Sequence, residues 1–155
     1  MGMRRKAREI AVQTLYALEF TDVNEQFQEY SLLSQYQDIL SQIAESDNID
    51  PFSSLYAFAE ELVKNAIINM EEIETKIDSH VLNWSYDCLA RLDRSILHIA
   101  VYELLYTDTP APVIINEAIE ISKKFCSEST GKFVNGILDA INKEIKEGAH
   151  QERPS

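Results

Sequence analysis

Arg4, Arg5, Lys6 and Arg8 put four of the chain's 14 Lys and Arg residues within its first eight positions. The next basic residue is Lys64, and residues 9–63 carry 11 acidic side chains with no Lys, Arg or His among them. On a chain of formal net charge −12, this concentrates positive potential at one end. The chemistry that suits such a cluster is phosphate binding, because guanidinium forks donate to two anionic oxygens at once. Taken alone, the cluster serves equally well as a solvated helix start. Other chemistry finds little support. Gly131-Lys132-Phe133 lacks the upstream glycine spacing and the Ser/Thr of a phosphate-cradling loop. His80, His98 and His150 stand apart, with no His or Cys at ligand spacing, so no metal site and no cofactor is expected. His98 lies in an apolar stretch and reads as a core or boundary histidine. Glu71, Glu72 and Glu74 point in different directions on a helix and read as a solvated acidic face. No nucleophile motif accompanies any Ser or Cys, and no enzymatic activity is expected. Cys88 and Cys126 have no CxxC partner and are expected to be buried, reduced thiols of a cytoplasmic protein.

The elements that must position these residues are helices. Four glycines and four prolines in 155 residues leave few breakers, which favours long helices over a sandwich or barrel. No window is apolar enough for a membrane span, and Glu9, Gln13 and Glu19 interrupt the apolar run a signal peptide needs. In the first helix Ala7, Ile10, Ala11, Thr14, Leu15 and Leu18 form one core-facing stripe. Arg5, Glu9, Val12 and Tyr16 lie on a second face that reads as a contact surface. Residues 21–51 are acidic and hold a helix through Phe27, Tyr30, Leu33, Ile39, Leu40 and Ile43, with loops at 22–24 and 47–51. Pro51 is expected in the first turn of the next helix, about 52–69, capped by Asp50. A helix through Ile73, Ile77 and Val81 follows, then a turn at Asn83-Trp84-Ser85. Residues 92–106 are apolar on nearly every azimuth, as befits the centre of a bundle. Pro110 and Pro112 stop that helix and start another running to about Cys126. Residues 127–130 cap a last helix with the stripe Phe133, Ile137, Leu138, Ile141 and Ile145. Gly131 and Gly136 inside it suggest close approach by another helix or a ligand. The expectation is an all-α bundle of about seven helices around a central apolar helix, one domain over residues 1–147, with a polar tail over 148–155.

Two stretches together carry a resemblance. Arg4-Arg5-Lys6-Ala7-Arg8-Glu9, continuing through Ala11-Val12-Gln13-Thr14-Leu15-Tyr16, resembles the opening helix of the NusB family of bacterial transcription antitermination factors. Leu92-Asp93-Arg94-Ser95-Ile96-Leu97, Ile115-Asn116-Glu117-Ala118, Lys123-Lys124-Phe125 and Lys132-Phe133-Val134-Asn135-Gly136-Ile137-Leu138-Asp139 are similar to that family in order and spacing. The resemblance covers about residues 3–20 and 86–145. It is weak over 21–51, and the turn 127–131 departs from the family pattern.

The resemblance implies a non-enzymatic adaptor that binds the boxA element of nascent ribosomal RNA leaders. It implies a heterodimer with NusE, a small-subunit ribosomal protein, within an RNA polymerase antitermination complex. Arg4, Arg5, Lys6 and Arg8 match the family's RNA-binding start, and Lys132 and Phe133 a second RNA-contacting patch. Tyr16 and Asp93 match positions facing the protein partner. Phe133 is equally consistent with a core position. A protein-only interaction module is one alternative, and an RNA-recognition domain related to the N-terminal part of an rRNA methyltransferase is another. Self-association into a homodimer through the face bearing Val12 and Tyr16 is also compatible with the sequence.

Overall fold

The computed structural model describes residues 2–21, 25–81 and 91–152. Among these are seven α-helices, one short 3-10 turn at Glu25–Phe27, and no strand. The turn at Asn83-Trp84-Ser85, the loop at 22–24 and Cys88 lie outside the described residues. The chain divides into two compact units, Met1–Met70 and Glu71–Ser155. No helix among the described residues is long and apolar enough to cross a membrane.

The first unit holds α1 (Gly2–Leu18), α2 (Gln28–Ser46) and α3 (Ser54–Ile68), each packed on the other two. Its core gathers Ala7, Ile10, Leu40 and Ala59, with Ile43, Ile49, Leu55, Tyr56 and Phe58 against it. Alanines at 7 and 59 leave room for close packing in that cluster. α2 buries only Leu32, Tyr36, Leu40 and Ala44, a stripe at every fourth residue that leaves the acidic and amide side chains outside. α1 is buried more widely than its stripe predicts. Ala7 to Val12 are all buried, including Arg8, Glu9 and Val12. The expected second contact face of α1 is therefore corrected: Glu9 and Val12 are interior, and Tyr16 marks the point where that side of α1 reaches solvent.

Two boundaries depend on specific hydrogen bonds. α2 ends in a left-handed residue, Asn48 with φ 58°. The Ile49 N–H donates to the Ala44 carbonyl at 2.8 Å and the Asn48 N–H to the Glu45 carbonyl at 3.1 Å. This paired closure satisfies the last carbonyls of the helix. Asp50 does not cap α3. Its Oδ1 accepts from the Phe52 N–H at 2.9 Å and closes a tight turn through Pro51, so Ser53 takes the cap, its Oγ accepting from the Tyr56 N–H at 3.2 Å.

The second unit holds α4 (Met70–His80), α5 (Arg91–Tyr106), α6 (Ala111–Phe125) and α7 (Glu128–Glu152). α5 is the central helix: every residue from Ser95 to Glu103 is buried, and it packs on both α6 and α7. Pro112 sits in the first turn of α6. Ser127 starts α7, its Oγ accepting from the Thr130 N–H at 3.2 Å, and the helix continues through 148–152, where the tail is expected. α4 is tied to α7 by Glu144, which pairs with Lys76 and with His80 Nε2 at 2.8 Å. It is tied to α5 by the Tyr106 hydroxyl donating to Glu72 and by Glu74, 3.8 Å from His98 Nε2 and 3.9 Å from Arg94. The solvated acidic face expected for Glu71, Glu72 and Glu74 thus gives way at 72 and 74 to contacts across helices. Burial pushes His98 down to about 4, aided by Arg94, so the ring is neutral and structural.

Candidate nucleic-acid interface

The basic start of α1 is arranged by two elements of its own unit. Arg4 and Arg8 lie one turn apart on the same side of the helix. Their guanidinium carbons stand 5.1 and 5.4 Å from the centroid of the half-buried Phe58 ring on α3. At these distances the ring face attracts both cations and fixes where their side chains run. Arg4 is exposed, whereas Arg8 is only 3% exposed and anchors the array from below. Arg8 thus has little surface to offer a phosphate. Lys6 points elsewhere and pairs with Asp47, the residue closing α2, at 2.9 Å. Arg5 is half-buried and already engaged within the protein. No acidic residue occupies the first turn of α1, so the partial positive charge of the helix start adds to the cations.

Sequence reasoning did not find Phe58, Asp47 or Gln13 as neighbours of the cluster. Phe58 carries the helical signature of a core aromatic, and only the packing of α3 on α1 brings its face under two guanidinium groups. Gln13 lies seven residues after Lys6, hence on the same side of α1, and with Gln42, Ile43, Ser46 and Asp47 it lines a cleft of about 240 Å³. Its carboxamide oxygen is buried without a hydrogen-bond partner.

Lys132 and Phe133 belong to the second unit. Lys132 is exposed in the second turn of α7, and Phe133 is half-buried and engaged within the protein. The start of α7 is a weaker anion site than its position suggests, because Ser127 occupies the Thr130 N–H and Glu128 sits in the first turn. Gly131 rests against α6, where an added Cβ would lie 3.5 Å from Ile119 Cγ2 and 3.6 Å from its carbonyl oxygen. A Cβ at Gly136 would meet nothing within 4 Å, so no other helix among the described residues approaches closely there.

The two residues expected to face a protein partner differ in setting. Tyr16 is 36% exposed and packs edge-on against the exposed Phe20, with centroids 5.1 Å apart. Asp93 accepts a hydrogen bond from the Cys126 thiol at 3.2 Å, joining the first turn of α5 to the end of α6. Burial and that carboxylate push the thiol up to about 12. Cys126 is free and half-buried. No cluster of three or more His, Cys, Asp or Glu among the described residues is placed to hold a metal ion.

A family model described as the NusB family matches residues 5–143. The transcription antitermination protein NusB of Geobacter sp. (strain M21) is 41% identical over 144 residues, covering 91% of this chain and 94% of the relative. Its counterpart from Bacillus velezensis is 35% identical, with 92% and 98% covered. Among solved structures, antitermination factors NusB and NusE in complex with dsRNA match with a TM-score of 0.75 and 30% identity, covering 93% of this chain and 98% of that one. The solution structure of NusB from Aquifex aeolicus matches with a TM-score of 0.74 and 30% identity, covering 100% and 97%.

Proposed function

The chain belongs to the NusB family of transcription antitermination proteins, and on that premise we propose that it binds boxA-type single-stranded RNA of rRNA leader transcripts together with NusE. The observation that carries this reading is the start of α1, where Arg4 stands exposed on a Phe58 platform beside Arg5 and Lys6. Cations of fixed direction lose little side-chain freedom when a phosphate arrives. Lys132 of the second unit is a further exposed cation proposed to meet RNA, with Phe133 next to it in sequence. Arg8 serves here as a positioning residue, holding the Phe58 platform under Arg4. The relative solved with NusE and dsRNA supports RNA as the ligand and NusE as the partner, at that coarser level. In that setting the chain acts without catalysis, as an adaptor delivering RNA to the transcribing polymerase.

The acidic remainder of the molecule limits affinity. About four phosphates neutralised on a single strand imply a log–log salt slope near −3. A net charge of −12 opposes approach, so NusE supplies the further contacts on one continuous strand. Fluorescence anisotropy with a labelled boxA strand tests the reading. Binding should strengthen with NusE present, and the combined Arg4→Glu, Arg5→Glu and Lys6→Glu variant should lose at least about tenfold, as three lost phosphate contacts require. No binding by the wild type, with or without NusE, would overturn it. Retained NusE binding with no effect of the charge reversals would favour a protein-only module.

A further inference from the structure

The cleft between α1 and the last turns of α2 is not accounted for by the basic cluster. It is lined by Gln13, Gln42, Ile43, Ser46 and Asp47, the last of which pairs with Lys6. At about 240 Å³ it is smaller than the roughly 300–1,000 Å³ of a drug-sized site, with room for a single base. We propose that this cleft is a nucleobase pocket, taking one unstacked base that carries an exocyclic amino group while Lys6 holds the adjoining phosphate. The inference rests on the reading that single-stranded RNA binds at the start of α1.

Three features support it. The Gln13 carboxamide oxygen is buried without a partner, so swinging that carboxamide into the cleft breaks no hydrogen bond to the oxygen and gives it a donor. The Gln13 and Gln42 carboxamides and the Ser46 hydroxyl can each donate or accept, and the Asp47 carboxylate can only accept. An amino group suits it, whereas the second carbonyl of uracil would face Asp47. The Lys6–Asp47 ion pair can be exchanged, one ion pair breaking as another forms. Lys6 leaves Asp47 for a phosphate oxygen, and the freed carboxylate accepts from the base amino group. Both partners are about a third exposed, so the exchange needs no opening of the core.

The test uses the full ¹⁵N-labelled chain and the side-chain amide resonances of Gln13 and Gln42, assigned through Gln13→Leu and Gln42→Ala. Titration with CMP or AMP to several millimolar should shift both pairs, UMP should shift them less, and ribose 5-phosphate should leave them in place. Gln42→Ala should weaken CMP binding about three- to tenfold, the share of one neutral hydrogen bond, while the Gln13 resonances still report occupancy. In the RNA, one abasic position should weaken the wild type and cost Gln42→Ala less, by the share of the hydrogen bond already lost. No shift with any nucleotide, or equal shifts with ribose 5-phosphate, would overturn the pocket, and equal shifts with UMP would overturn the preference for an amino group. If CMP occupies the cleft but the wild type binds no RNA, the pocket stands and the RNA reading falls. If RNA binds and no abasic position behaves as stated, the cleft is not a site for the strand.

Discussion

Cys126 shows how an environment sets the reactivity of one side chain. A thiol held up to about 12 by burial and by Asp93 carries almost no thiolate near neutral pH, and the thiolate is the nucleophile. With Cys88 replaced by Ser, Cys126 should react slowly with a disulfide reagent at pH 8. Asp93→Asn removes the carboxylate that repels a thiolate while keeping the shape. The rate should then rise about tenfold for each unit by which the thiol falls back toward its ordinary value. An unchanged rate would mean that burial alone protects the sulfur. The same contact qualifies the sequence reading of Asp93. A surface carboxylate suits a basic partner, but this one is already engaged by a residue 33 positions later, and no local pattern announces that pairing.

At the scale of elements, the closure of α2 and the interior of α7 carry separable predictions. Asn48 holds a left-handed conformation that directs Ile49 into the core and places Asp47 beside Lys6. Asn48→Gly should be neutral or stabilising, and Asn48→Val should cost about 1–2 kcal/mol, since a β-branched side chain is strained there. Chemical denaturation would measure both. Gly136 is exposed within α7, has no left-handed φ, and leaves open space where a Cβ would go. Gly136→Ala should therefore stabilise by about 0.5–1 kcal/mol, seen as a rise in Tm of a few degrees. The helix count, the proline-marked start of α6, the Ser127 cap and the all-round burial of α5 were legible in the sequence because each follows from local pattern. The cap of α3 was not, because Asp50 and Ser53 compete for the same turn and only hydrogen-bond geometry decides between them. The burial of Val12 and Glu9 was not, because periodicity reveals one apolar face and is silent on how many neighbours a helix meets.

For the molecule as a whole, His98 links folding to pH. Its folded-state value of about 4 lies below the 6.5 of an unfolded chain, so between those values the unfolded state binds the extra proton. Stability should be constant above about pH 6.5 and fall as pH drops toward 4, by up to about 3 kcal/mol from this group alone. His98→Leu should flatten that part of the curve in urea denaturation followed from pH 7 to 4.5. A slope that survives the substitution would assign it to carboxylates. The family and fold were legible in the motifs at both ends of the chain. The candidate interface was legible only as a list of cations, since their availability depends on Phe58 and Asp47, which the fold supplies.

The depth of Arg8 and Ala7 in the first unit has a practical bearing. Removing the first eight residues is the obvious way to delete the basic cluster, but it would also strip Ala7 from the core and the lower guanidinium from Phe58. A protease clipping this end would therefore loosen the core of the first unit as well as remove its cations. The basic edge and part of the first unit's core are thus built from the same eight residues.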